Sequence, residues 1–233
     1  ADGEINFRYC TECVVRGENI DHGGLRVELA LLGDSLIVAG SPETAKVHLH
    51  TDNPGEAFRI AGKYGVLSDQ KAEDMRKQFA AAHAPGTEIA LVVDSTCDIP
   101  PEYLEKPFVH MVPVKVLFGE KSYLDKTALT PRHFYELLRG HSGPPGTTSQ
   151  PAPGDFEKVF GFLAGHYRHV LYLGIAGALS GTIKSARAAL ERLPRRDAVH
   201  ILDGRTLTVG LGLVARRVIR AVEDGAAFPE VLR

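Results

Sequence analysis

Two histidines stand two residues apart in Lys46-Val47-His48-Leu49-His50-Thr51, a stretch that alternates like a strand. That spacing sends both imidazoles to one face, where they can share a metal ion. A second alternating stretch, Ile5 to Cys13, puts Cys10 and Glu12 together on one face, so a thiolate is available to complete a Cys-His-His set. Zinc accepts that donor mix, with water, Glu12 or Asp52 as the fourth ligand. The plain alternative, two solvated histidines on a strand face, stands beside it.

A different chemistry collects further along the chain. Asp94-Ser95-Thr96-Cys97-Asp98, Gly146-Thr147-Thr148-Ser149-Gln150-Pro151, Ser180-Gly181-Thr182 and Asp203-Gly204-Arg205-Thr206 each follow or bridge apolar runs, and they are rich in hydroxyls and glycines. Such residues leading into helices offer hydroxyl and free backbone N–H donors to a carboxylate or phosphate. For any one of them alone a plain helix cap or turn is the better reading, and it is four on one edge that argue for more. Cys97 has no histidine near it in sequence and reads as a small buried residue rather than a nucleophile.

The elements that must position these groups fall into two patterns. Up to about Gln78, short strands alternate with short helices near Gly24 to Leu32 and from Asn53-Pro54-Gly55 to about Tyr64, as in a small α+β domain. Ala80 to Thr87 loses periodicity around a Pro-Gly pair and reads as a linker. Beyond it, β-branched runs at Ile89 to Val93, Val109 to Leu117, Val170 to Ile175 and Val199 to Leu202 alternate with amphipathic stretches at Pro131 to Arg139, Pro153 to Tyr167, Ile183 to Leu193 and Val209 to Glu223. That is the signature of a mostly parallel sheet covered on both faces. The expected fold class is therefore α/β, with a small α+β domain at 1–79, a linker at 80–87 and a parallel-sheet domain at 88–233. Ligands of such a sheet bind outside the carboxyl ends of its strands, which is where the hydroxyl stretches fall.

Composition narrows the classes. A net charge of −2 with no dense basic run argues against nucleic acid, and no apolar run is long enough to span a bilayer. No signal-peptide pattern opens the chain, so a cytoplasmic location is the default expectation. Three cysteines are too few for a disulfide framework in 233 residues. There is no phosphate-binding glycine loop, Gly-x-Ser-x-Gly elbow or paired Cys-x-x-Cys motif. The start at Ala1 and the helix opening at Phe228-Pro229-Glu230 just before Arg233 read as a fragment cut at both ends.

Val92-Val93-Asp94-Ser95-Thr96-Cys97-Asp98-Ile99-Pro100, Thr148-Ser149-Gln150-Pro151 and Leu179-Ser180-Gly181-Thr182 with Ser185-Ala186 resemble, in this order, the signatures of the DegV family of fatty-acid-binding proteins. The resemblance covers residues 88 to 233. It implies a buried acyl chain whose carboxylate is held by Thr148 and Ser180, with Ser95, Thr96, Ser149, Gly181 and Thr182 around them. Members of that family continue into a second lobe that supplies the far wall of the tunnel and a histidine at the carboxylate; none of the ten histidines here matches it. Ala176-Gly177 also stands where the family usually has serines.

Residues 4 to 79 carry a second resemblance. Tyr9-Cys10-Thr11-Glu12, Leu32-Gly33-Asp34-Ser35, the His48 and His50 strand and Asn53-Pro54-Gly55 are similar to the middle domain of the fatty acid kinase component related to dihydroxyacetone kinases. That likeness implies zinc on Cys10, His48 and His50, with Cys13 the weaker candidate. The kinase domain that would bring ATP and Mg precedes this region in that family and is missing from this chain.

The combined expectation is a carrier that binds a long-chain fatty acid and presents its carboxylate to a kinase domain in cis or in trans, with a second copy of the chain as a further candidate partner. Short linkage of carrier and kinase raises their effective concentration into the millimolar range. Two other classes compete: a zinc-dependent hydrolase or phosphatase with an open metal position, and a structural module whose zinc stiffens a dimer.

Overall fold

The computed structural model describes residues 5–83, 85–140, 143 and 146–233. In chain order its elements begin with β1 (Tyr9–Arg16), α1 (His22–Leu29), β2 (Gly33–Ser41), β3 (Thr44–Thr51), α2 (Pro54–Ala61), β4 (Val66–Asp74) and α3 (Met75–His83). There follow β5 (Ile89–Asp94), α4 (Pro101–Leu104), β6 (Val109–Val112), β7 (Lys115–Phe118), β8 (Lys121–Leu124), α5 (Pro131–Gly140) and β9 (Thr147–Ser149). The remainder is α6 (Pro153–His166), β10 (His169–Gly174), α7 (Thr182–Leu190), β11 (Val199–Asp203), α8 (Thr208–Glu223) and α9 (Phe228–Val231). By their internal contacts they form two compact units, Ala1–Gln78 with Lys115–Ser149, and Phe79–Val114 with Gln150–Arg233.

In the first unit an antiparallel sheet runs β2-β3-β1-β4. Period-two alternation buries Thr11, Cys13 and Val15 of β1 with Val47 and Leu49 of β3, in one core with Leu25 and Leu29 of α1 and Phe58 and Ile60 of α2. The opposite face carries Cys10, Glu12, His48 and His50. Helix α2 starts where Asn53 accepts a hydrogen bond from the Glu56 N–H and Pro54 occupies the first turn. Gly33 is required by close approach, because a Cβ there would lie 1.7 Å from the His50 carbonyl oxygen. A smaller sheet, β8-β7-β9, packs Val116 and Phe118 with Leu129, while Leu124 and Ala128 join the core of the larger sheet.

The second unit holds a parallel sheet in the order β11-β10-β5-β6. Every residue of β5 is buried, as a central strand with helices over both faces demands. From β5 the chain steps one way to β6, and from β10 it steps the other way to β11. The order therefore reverses between β5 and β10, which opens a crevice at their carboxyl ends. Phe156 and Phe160 of α6 pack on the Tyr172 ring from one side, and α8 packs on β5 and β10. At the amino ends of the strands, His169 Nδ1 lies 3.3 Å from His200 Nε2, and the Phe228 ring stacks on His169 at 4.2 Å.

Several expectations need correction. The run Val109 to Leu117 is two strands rather than one: Pro113 lacks the N–H that a continuing parallel ladder needs, and β7 pairs antiparallel with β8 and β9 in the other unit. The stretch around Thr148, which bridges two apolar runs, itself contains the short strand β9. Strand β4 pairs with β1 although Ser68-Asp69-Gln70-Lys71 shows no apolar alternation. The expected linker at 80–87 is helical through His83, and its Ala84 lies outside the described residues. The compact units also depart from a simple cut near residue 80, because 115–149 goes with the first unit.

Candidate functional site

Two clusters carry chemistry, one in each unit. In the first, the β1–β3 register sets Cys10 opposite His50 and Glu12 opposite His48. Among the described residues, Cys10, His48 and His50 form the group of metal-capable donors whose atoms all come within 4.8 Å of one another. Cys10 Sγ is 3.9 Å from His48 Nδ1, and the two imidazole centroids are 5.1 Å apart. One sulfur and two imidazole nitrogens converging on a half-buried sheet face fit zinc. Neither Glu12 nor Asp52 joins that group: Glu12 Oε1 sits 3.2 Å from His48 Nδ1, and Asp52 Oδ1 accepts the Arg8 backbone N–H at 2.9 Å. Asp34, which sequence reasoning passed over, lies opposite His50 and places Oδ1 3.3 Å from its Nδ1.

Electrostatics separate the two cysteines. Burial pushes the Cys10 thiol up, with Lys71 pulling against it and Glu12 and Glu73 adding to it. Cys13 faces the core and burial drives its thiol to about 12, so it is a packing residue. Burial alone would raise Glu12, yet the His48 hydrogen bond and the charges of Lys71 and Lys46 outweigh it and hold the carboxyl below its usual range.

The second cluster occupies the crevice edge. Asp94 closes β5 fully buried: Oδ2 accepts the Tyr172 hydroxyl at 2.8 Å and the Ile175 N–H at 3.0 Å, while Oδ1 accepts the Thr96 N–H at 3.0 Å and the Thr96 hydroxyl. Burial first, then the Asp94 charge, lifts the Tyr172 phenol far above its ordinary range, so it stays a donor. Ser95 Oγ accepts the Val114 N–H at 3.0 Å, which makes it a brace between strand ends. Ser180 Oγ lies 2.8 Å from Thr182 Oγ1 and accepts the Thr182 N–H at 3.2 Å where α7 begins. Gln150 donates to Ser185 Oγ at 2.7 Å and fills the space beside Gly181, where a Cβ would meet its Oε1 at 2.1 Å. Asp203 accepts from the Gly177 N–H at 3.2 Å and the Arg205 N–H at 2.9 Å.

The second unit thus gathers Ser95, Thr96, Ser180, Gly181 and Thr182 at the carboxyl ends of its strands. Thr148 and Ser149 belong to the first unit, exposed on β9, with Thr148 opposite Val116. Asp94, Tyr172 and Asp203 had no assigned role in sequence. Asp94 and Asp203 open two of the hydroxyl stretches singled out in sequence, whereas Tyr172 offered only its place on a buried strand.

An open parallel sheet with its switch point between β5 and β10, edged by hydroxyls, gives the second unit the architecture of an open α/β lobe. The chain belongs to the DegV family: residues 88–233 match the model of this uncharacterised protein family. Residues 6–82 match the FakA-like middle domain of fatty acid kinase. A DegV domain-containing protein of Deinococcus radiodurans is 39% identical over 145 residues, which are 62% of this chain and 50% of the relative. The fold is similar to that of a fatty-acid-binding DegV family protein from Thermus thermophilus, with a TM-score of 0.56 and 34% identity over 62% of this chain and 51% of the other. It is also similar to DegV of Bacillus subtilis, a fatty acid binding protein, with a TM-score of 0.56 and 29% identity over 63% of this chain and 51% of the other. The chain spans about half the length of these relatives. Among the described residues, no helix is long and apolar enough to cross a membrane.

Proposed function

We propose that the chain binds a long-chain fatty acid and presents its carboxylate for phosphorylation, as part of a fatty acid kinase system. The observation that carries this reading is the hydroxyl-edged switch point, with Leu179, Leu202, Leu207 and Val209 exposed on segments at or next to the carboxyl ends of the strands. Apolar side chains left in water beside a hydroxyl-rich strand edge suit an amphiphile. Burying about fifteen methylenes at roughly 0.8 kcal/mol each gives a gross ~12 kcal/mol before ordering costs, so the tail supplies affinity and the hydroxyls supply orientation. Ser180 is the proposed carboxylate partner within the second unit, and the family resemblance implies the same role for Thr148 of the first unit. The solved relatives named as fatty-acid-binding support the ligand class, and the match to a fatty acid kinase middle domain supports the phosphorylation context.

In this reading zinc binds Cys10, His48 and His50 and stiffens the first unit, while ATP and Mg belong to a kinase domain in cis or in trans. Binding of fatty acids of graded length, measured by calorimetry on the chain with and without Thr148→Ala and Ser180→Ala, tests the carrier role. Affinity should rise with each added methylene pair and fall on loss of both hydroxyls. Indifference to both would end the carrier reading.

A further inference from the structure

Both histidines of the metal-capable group have a carboxylate on the same ring nitrogen: Glu12 on Nδ1 of His48 at 3.2 Å and Asp34 on Nδ1 of His50 at 3.3 Å. Neither pairing is an accident of a flexible surface side chain. Glu12 lies directly across β1–β3 from His48, and Asp34 directly across β2–β3 from His50, so strand register brings each acid to its imidazole. The close approach of β2 at Gly33, against the His50 carbonyl, holds the second pairing in place. Cys10 Sγ also looks toward His48 Nδ1, but from 3.9 Å, and a carboxylate oxygen at 3.2 Å is the stronger acceptor for that N–H.

From this double pairing we infer that Glu12 and Asp34 are positioning residues that fix each ring as the Nδ1–H tautomer, leaving Nε2 of both His48 and His50 as the metal nitrogens. The inference rests on the zinc reading above. An imidazole whose N–H is held by a carboxylate is oriented and made more basic at its other nitrogen, the usual outer support of a metal-bound histidine. The two acids are not equivalent. Glu12 is 27% exposed and Asp34 45%, so solvent screens the Asp34 pairing more, and Glu12 should matter more.

The test uses the full chain and zinc alone. Zinc affinity is measured by competition with a chromogenic chelator for wild type, Glu12→Ala, Asp34→Ala and the isosteric Glu12→Gln. Long-range proton–nitrogen spectra of the imidazoles in the zinc-loaded wild type report which nitrogen is metallated, a readout that a merely structural role would not move and that needs no variant to fold. Expected are Nε2 coordination of both rings, affinity losses of about 10–100-fold with Glu12→Ala the larger, and a smaller loss for Glu12→Gln. Wild-type zinc binding with unchanged affinity in the variants, or coordination through Nδ1, overturns the positioning roles and leaves the zinc reading standing. Absence of zinc binding by the wild type overturns both.

Discussion

Asp94 shows how much of this chain's chemistry depends on one side chain. Its two oxygens take four donors from β5's own loop, from Tyr172 on β10 and from the Ile175 N–H, so it ties the two strands that flank the crevice. Asp94→Asn places an amide NH2 against at least one N–H donor inside the sheet. It should cost about 3 kcal/mol, whereas Tyr172→Phe, which removes one hydroxyl, should cost about 1 kcal/mol; urea unfolding checks both. At this scale the sequence was legible where residue type alone limits the options. The hydroxyl stretches, the His-x-His pair and Cys10 could be singled out because few side chains do such work. Gln150 against Gly181 and Asp34 against His50 were not, because only strand register and loop path bring them together, and neither leaves a mark in local sequence.

Among elements, the buried parallel strands were readable because a strand covered on both faces must be apolar along its covered length, as β5 is up to Asp94 and β10 is after His169. Strand β4 escaped notice for the converse reason: its only signal is pairing with β1, and a polar edge strand needs no apolar alternation. The break at Pro113 was visible as a residue but not as a change of sheet. The amino ends of β10 and β11 make a prediction of their own. Burial, then the neighbouring His169, hold His200 below the ordinary histidine value of 6.5, with Asp197 pulling the other way. The unfolded chain then takes up a proton that the folded one refuses, so the second unit keeps its full stability above that value and loses it as the pH falls below. His200→Asn should flatten this acid-side slope, read by amide exchange in β10 and β11 between about pH 7 and 5. A slope unchanged in the variant would assign the acid sensitivity to other groups.

For the whole molecule, the matches to two families run end to end along the sequence, at 6–82 and 88–233. Fold class followed from period and composition, since alternation in one half and continuous apolar runs in the other can satisfy only different sheet types. What periodicity could not convey is long-range membership. Residues 115–149 lie inside the DegV match yet count among the contacts of the first unit.

That return of the chain has a consequence for how the protein comes off the ribosome. The core under the antiparallel sheet includes Leu124 and Ala128, and a Cβ added to Gly55 at the start of α2 would meet the Ala128 carbonyl oxygen at 2.4 Å. A nascent chain that has emerged only to residue 83 therefore has its four strands and helices α1 and α2 but lacks Leu124 and Ala128, so part of its apolar floor is uncovered. It must wait for some forty further residues, roughly two to eight seconds of synthesis, before the floor is sealed. A recombinant piece ending at His83 is that waiting state made permanent. It should bind a hydrophobic dye and exchange its α2 amides faster than the complete chain does, whereas Leu124→Ala and Ala128→Gly in the complete chain should reproduce part of the effect. The place where the two family matches meet in the sequence thus lies short of two residues that complete the first unit's core.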